Sequence, residues 1–142
     1  VVLMHMKGMP KTMQLNPHYD NVIDEILSFL KERLNFAVAC GIKKKKIIID
    51  PGIGFGKRVE DNLNIIKNLD KFKILNCPIL TGTSRKSFIG VLSDNIPPEE
   101  RLEGTIASVV ICLMNGADIV RVHDVKEIWK AIKITDALKN LK

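Results

Sequence analysis

The chain has 142 residues, 46% hydrophobic and 27% charged, a balance that suits one soluble globular domain with a real core. No apolar run approaches the ~20 residues that span a bilayer, and the opening VVLMHM is too short, and too poor in basic residues, for a signal-peptide core. A net charge of +6 admits nucleic acid, an anionic membrane or small anionic substrates, but an aromatic content of 5% supplies few stacking platforms for single-stranded nucleic acid.

Strand-like runs alternate with helical patterns. Residues 1–6 read as the first strand, with Met4 and Met6 on one side and His5 on the other. A chain beginning directly on a buried strand is expected to be part of a longer one. A loop with Gly8 and Pro10 follows, placed to lie over a site. Asn16-Pro17 then reads as an N-cap with proline at the first helical position. That helix runs through Tyr19, Val22, Ile26, Phe29, Leu30, Leu34, Ala37 and Val38, and Gly41 stops it. The lysine run at 43–46 reads as a solvated turn. Residues 46–50 form the second strand, whose unbroken Ile47, Ile48 and Ile49 predict cover on both faces.

A loop at 51–57 leads to a short helix carrying Leu63, Ile66 and Leu69. The third strand is 78–81, with Pro78 at its tolerated first position. A polar loop and a short apolar segment to Leu92 follow. Pro98 opens a helix with a buried stripe of Leu102, Ile106, Val109, Val110 and Leu113, ended by Gly116. The fourth strand is 118–122. The last helix holds Val125, Ile128, Trp129, Ile132 and Leu138, with Trp129 expected to pack inward. Cys40, Cys77 and Cys112 form no C-x-x-C pair and suit a reducing compartment; Cys40 and Cys112 read as core hydrophobes.

The order is βα four times, which predicts a parallel α/β sheet. An open doubly wound sheet and a (β/α)8 barrel compete. The unusual residues cluster at the four strand ends, where a barrel carries its chemistry.

The first end, Met4-His5-Met6, offers methionines able to line a flat ring, though core filling is the plainer reading; His5 reads as a hydrogen-bonded structural histidine. The second, Asp50-Pro51-Gly52-Ile53-Gly54-Phe55-Gly56-Lys57, sets an aspartate on an apolar strand, costly to bury without donors. Its glycines let a ligand approach the backbone. Phe55 is placed to cover an aromatic face. The loop is neither a G-x-G-x-x-G fingerprint nor a P-loop. The third end, Gly82-Thr83-Ser84-Arg85-Lys86-Ser87, suits an anion or oxygen ligand, with Lys86 the better contact and Arg85 open to a structural ion pair. At the fourth, alternation sets Arg121 and His123 on one side, a pair suited to phosphate. The alternative there is an Arg121–Asp124 ion pair, with Asp124 capping the last helix. No metal-ligand cluster and no nucleophile elbow appear in the sequence.

Taken together, MHM-x-G-x-P-x-T-M, DPGIGFGK, TSRKS and RVHDV resemble the dihydropteroate synthase family over nearly the whole chain. The resemblance implies strands five to eight of a (β/α)8 TIM barrel: a half barrel of about four βα units, with residues 1–142 one domain fragment. It implies a transferase of folate biosynthesis joining 6-hydroxymethyl-7,8-dihydropterin diphosphate to p-aminobenzoate, the substrate that sulfonamides imitate. Met4, Asp50, Gly54, Phe55, Gly82, Lys86 and Arg121 would then contact the pterin. Phe55, Ser84 and Lys86 would meet p-aminobenzoate, and Arg121 and His123 the diphosphate. Asp50, Lys86 and Arg121 would carry the chemistry. Mg2+ would accompany the diphosphate, with no metal ligand in this half. The family further implies a cytoplasmic enzyme, a homodimer at full length, with neither nucleic acid nor membrane as partner. The fragment alone is expected to be inactive. Two other readings stand beside it: a methyltetrahydrofolate:corrinoid methyltransferase of the same pterin barrel, and a non-catalytic half barrel that associates with a partner chain.

Overall fold

In a computed structural model, which describes residues 1–13 and 15–141, strand β1 (Val2–Met4) pairs in parallel with β2 (Ile48–Asp50), Met4 lying opposite Asp50. Strand β3 (Leu80–Thr81) pairs in parallel with β4 (Ile119–Val120). A parallel bridge between Ile49 and Ile79 joins the two ladders. The strands therefore neighbour one another in chain order. An open doubly wound sheet would show a reversal of that order, and none occurs among the described residues.

Five α-helices cover the strands: α1 (Val22–Ala39), α2 (Val59–Lys67), α3 (Ser87–Leu92), α4 (Leu102–Met114) and α5 (Val125–Lys139). The core lies between helices and strands. Ile26 and Leu30 of α1, Ile65 of α2 and Ile128 of α5 meet Ile47, Ile49 and Ile79 there, all inaccessible to solvent. Each such side chain contributes about 1.5–3 kcal/mol by leaving water. Ile47 and Ile49 are fully buried and Ile48 partly so, as the unbroken run predicts.

Several expectations need correction. The strands are shorter than their apolar runs. Lys44–Lys46 forms a 3-10 turn before β2, and Pro78 lies outside β3, although its carbonyl accepts from Ile49 N at 3.0 Å. Strand β1 is half open, with Val2 46% exposed, and is not the buried strand expected. The first helix starts at Val22. Asn16 takes a left-handed φ of 52°, whereas the Asn21 side chain accepts from the N–H groups of Ile23 and Asp24 and is the true cap. Leu69 belongs to a 3-10 segment, Leu69–Leu75, rather than to α2, and Leu63 is exposed. Pro98 opens a 3-10 turn ahead of α4, whose buried face is Thr105, Ser108, Val109, Cys112 and Leu113, not the wholly apolar stripe predicted. Cys40 is exposed at the end of α1, and Cys77 is buried in its place. Trp129 does not pack inward. It is 56% exposed beside a largely apolar groove of about 510 Å³, lined by Leu80, Ile119, Val122, Ile128 and Ile132 along β4.

Candidate active site at the strand ends

Parallel strands bring their carboxyl ends to one rim, so the residues following Met4, Asp50, Thr81 and Val120 face a common space. At the ends of β3 and β4 lies a cavity of about 340 Å³ lined by Gly82, Ser84, Lys86, Arg121, Val122 and His123.

Asp50 closes β2 and is 1% exposed. Its Oδ1 accepts from Gly52 N at 2.7 Å. Its Oδ2 is buried without a hydrogen-bond partner and lies 3.7 Å from Arg121 Nη2, beyond hydrogen-bond reach. Burial pushes the carboxyl above its usual range, against the Gly52 N–H and the charges of Arg121, Lys57 and Lys86. An unpartnered buried carboxylate oxygen costs stability unless a ligand donates to it.

The loop after β2 is pinned by its neighbours. Gly54 N donates to Asn62 Oδ1 at 2.7 Å, and Tyr19 OH donates to Gly56 O at 2.7 Å. Gly52 and Gly56 have φ of +72° and +64°, and a Cβ on them would meet the carbonyl oxygens of His5 and Lys7 at 1.9 and 2.1 Å. Only glycine allows the loop to lie so close against the end of β1. Phe55 is half-buried, with Lys86 Nζ 4.1 Å from its ring centroid. Burial and the nearby Arg121 lower the Lys86 amine, while Asp50 opposes them.

The loop after β3 is held in a left-handed turn at Arg85, φ 56°, an uncommon conformation for a residue with a Cβ. Three anchors determine it. Arg85 N donates to Thr105 Oγ1 at 3.0 Å, its carbonyl accepts from Arg101 Nη1 at 3.0 Å, and its guanidinium grips both oxygens of Asp124 at 3.0 and 2.5 Å. Arg85 is thus the structural ion-pair partner, and Ser84 and Lys86 line the cavity. Asp124 stands at the N-cap position of α5 but makes no capping bond, and it pairs with Arg85 rather than Arg121. Ser84 Oγ lies 2.9 Å from His123 Nδ1 and accepts from His123 N at 3.2 Å, tying the third strand end to the fourth.

Asp50, Lys86 and Arg121 therefore converge, joined by Gly82, Ser84 and His123. Gly54 and Phe55 adjoin through Lys86, and a Cβ on Gly54 would meet that lysine's Cδ at 3.1 Å. Met4 is partly buried and is the ladder partner of Asp50. His5 is buried and structural: its Nδ1 faces Lys57 Nζ at 3.1 Å and its ring packs edge-on to Phe29. Burial and the two neighbouring lysines, Lys57 and Lys7, lower His5 to about 4, although Glu25 opposes them. Sequence reasoning missed Lys57, which is 4% exposed with no carboxylate bonded to it, and the Arg101–Thr105 buttress. A lysine next to a glycine gives no signal of burial, whereas a threonine and a serine on the apolar face of α4 were a usable one.

Comparison with known proteins gives the family and the fold. Residues 1–123 match the family described as pterin binding enzyme. The chain belongs to the pterin-binding enzymes. Among its relatives, the dihydropteroate synthase of Escherichia coli (strain K12) is 46% identical across 100% of this chain and 50% of its own. That of Clostridium beijerinckii is 53% identical over 87% of this chain and 46% of its own. The crystal structure of the Yersinia pestis dihydropteroate synthase with a sulfonamide drug superposes with a TM-score of 0.97 at 43% identity, covering 99% of this chain and 51% of that one. The chain spans about half the length of the curated relatives it matches. Its fold is that of a half TIM barrel of pterin-binding type.

Proposed function

We propose that this chain supplies the C-terminal half of a dihydropteroate synthase, residues 1–142 forming one domain fragment that works with an N-terminal half. The observation that carries this reading is Asp50 Oδ2: a buried, unpartnered acceptor at a rim whose other groups, Lys86, Arg121 and His123, suit an anion. A pterin presents adjacent N–H donors in one plane, and a carboxylate accepts such a pair. In this reading Asp50 holds the ring edge, Met4 and Phe55 its faces, and Gly54 and Gly82 allow close approach. Lys86 lies between pterin and p-aminobenzoate, and Ser84 by the carboxylate of the latter.

The reaction then needs little beyond positioning and charge. The bond between the pterin methylene carbon and the diphosphate oxygen breaks, and Arg121 and His123 receive the departing negative charge. The amine nitrogen of p-aminobenzoate forms the new C–N bond and loses a proton. No covalent enzyme intermediate is required. Among the described residues, no His, Cys, Asp or Glu side chains gather as a metal site, and the charged side chains of the cavity, Lys86 and Arg121, are cationic. Those residues do not fit Mg2+. Any Mg2+ would be held by the diphosphate and by groups outside them, and no step is assigned to it.

The groove beside β4 is proposed to receive a strand of the N-terminal half, which would remove an open sheet edge. The exposed Ile111 and Met114 of α4, with Ile134 and Leu138 of α5, support pairing of two full-length copies. A cytoplasmic location is part of the same reading; no described helix is long and apolar enough to cross a membrane.

Joining the chain to the N-terminal half of the Escherichia coli relative tests the proposal. The full barrel should form 7,8-dihydropteroate from pterin diphosphate and p-aminobenzoate, and the chain alone should form none. A joined barrel that folds but makes no product would overturn the reading. Binding of p-aminobenzoate only when pterin diphosphate is present separates it from a corrinoid methyltransferase.

A further inference from the structure

Lys57 is buried beneath the loop after β2. Its ammonium is bonded to no carboxylate. Instead Nζ donates to Gly52 O at 2.8 Å and Phe55 O at 3.0 Å, and lies 3.1 Å from His5 Nδ1. Two carbonyls of its own loop and one ring nitrogen of the neighbouring strand end thus converge on one amine, which the loop wraps as it would a bound cation. The same loop carries Gly52 N, which donates to Asp50, and Phe55, which stacks under Lys86. The amine therefore ties the end of β1 to the peptide units that aim Asp50 and Phe55.

We propose that Lys57 is a positioning residue for the pterin site: it sets the shape of the 52–55 loop, and with it the placing of Asp50 and Phe55. Its charge also favours the ionised form of Asp50. The proposal rests on the pterin reading above and adds a residue that would touch no substrate. Burial alone would discard so costly a group, since a buried ammonium without a counter-ion opposes folding. A loop built only to turn would need no lysine there. Other charges bear on Asp50 as well. Arg121 from the end of β4 and Lys86 from the loop after β3 act on Asp50 directly, and Asp61 of α2 faces Lys57. On the far side, Lys7 and Glu25 face His5. Burial lowers the Lys57 amine to about 7, so it is cationic at acid pH.

Binding of pterin diphosphate to the joined barrel, measured calorimetrically across the acid range, tests this in the unsubstituted protein, Lys57→Met, Lys57→Gln and Asp50→Asn. Lys57→Met fills the same space without charge. Lys57→Gln keeps a neutral donor for the carbonyls and serves in the same role should the methionine variant not fold. The Lys57 variants should bind about tenfold more weakly or worse, as a displaced loop would cause. The acid limb of binding should also move to higher pH, by about half a unit to one unit. A purely structural lysine would change the urea midpoint and leave that limb in place. Unchanged affinity and an unchanged limb in the folded variants overturn this inference alone. Failure of the unsubstituted barrel to bind overturns the pterin reading, and this inference with it.

Discussion

At the end of β2 the polar groups are enclosed and mostly bonded to one another, whereas at the end of β4 the Arg121 guanidinium stands in the open. Asp50 is 1% exposed, and the loop beyond it is bonded internally through Gly52, Gly54 and Lys57. The Arg121 side chain is 57% exposed, and His123 is steadied by Ser84. Under the proposed function the difference matches two tasks. Reading the edge of a flat ring needs a fixed acceptor in a dry setting, where a hydrogen bond discriminates strongly. Receiving a highly charged leaving group needs cations that remain hydrated until it arrives. The β2 end should therefore be the more sensitive to substitution.

The sharpest way to break that comparison is Asp50→Asn. Two charge-assisted bonds are worth about 1.5–3 kcal/mol each, so pterin diphosphate should bind about 10²–10⁴-fold more weakly in calorimetry. The same change removes a buried, incompletely bonded charge, so the thermal midpoint should rise. Gly52→Ala comes next. Its Cβ would sit 1.9 Å from His5 O at a φ of +72°, and the fold should lose about 2–4 kcal/mol in urea titration. Gly82→Ala is its counterpart near β4. The contact there is 3.2 Å, to the movable end of Arg121, and stability should change by less than about 1 kcal/mol. Arg121→Gln should lower kcat/KM by about tenfold to a hundredfold and leave the urea midpoint nearly unchanged.

A separate effect is one of pH. His5 and Lys57 are lowered by burial to about 4 and about 7 from ordinary values of 6.5 and 10.5. Both bind protons more readily when unfolded. Their contributions to stability should therefore rise with pH, from about 4 to 6.5 for His5 and from about 7 to 10.5 for Lys57. Asp50, raised by burial, works the other way, its contribution falling as pH climbs above the ordinary carboxylate value. Urea midpoints at about pH 5, 7 and 9 should climb in the chain and climb less in Lys57→Met.

How much of this was legible in the sequence follows the same division. The strand ends were, because a parallel α/β pattern fixes which ends share a rim, and alternation along β4 put Arg121 and His123 together. The start of α1 was not. Asn16-Pro17 carries as good a cap signal as Asn21, and only tertiary structure, with Tyr19 anchored to Gly56, chooses between them. Cys40 looked apolar by its neighbours, but its place at a helix end exposes it. Arg85 was legible as open to an ion pair, but its partner was hidden, because adjacency in the sequence sets Asp124 beside Arg121 and shows nothing of the loop after β3. Trp129 was misplaced because helical spacing shows that a face is apolar and not what covers it.

A crystal structure of the joined barrel with pterin diphosphate bound puts the central claim most directly to the test. The account predicts the ring N–H groups on Asp50 Oδ2 and the diphosphate against Arg121 and His123, with Lys86 between them. A pterin held elsewhere, with Asp50 Oδ2 still unpartnered, would contradict it.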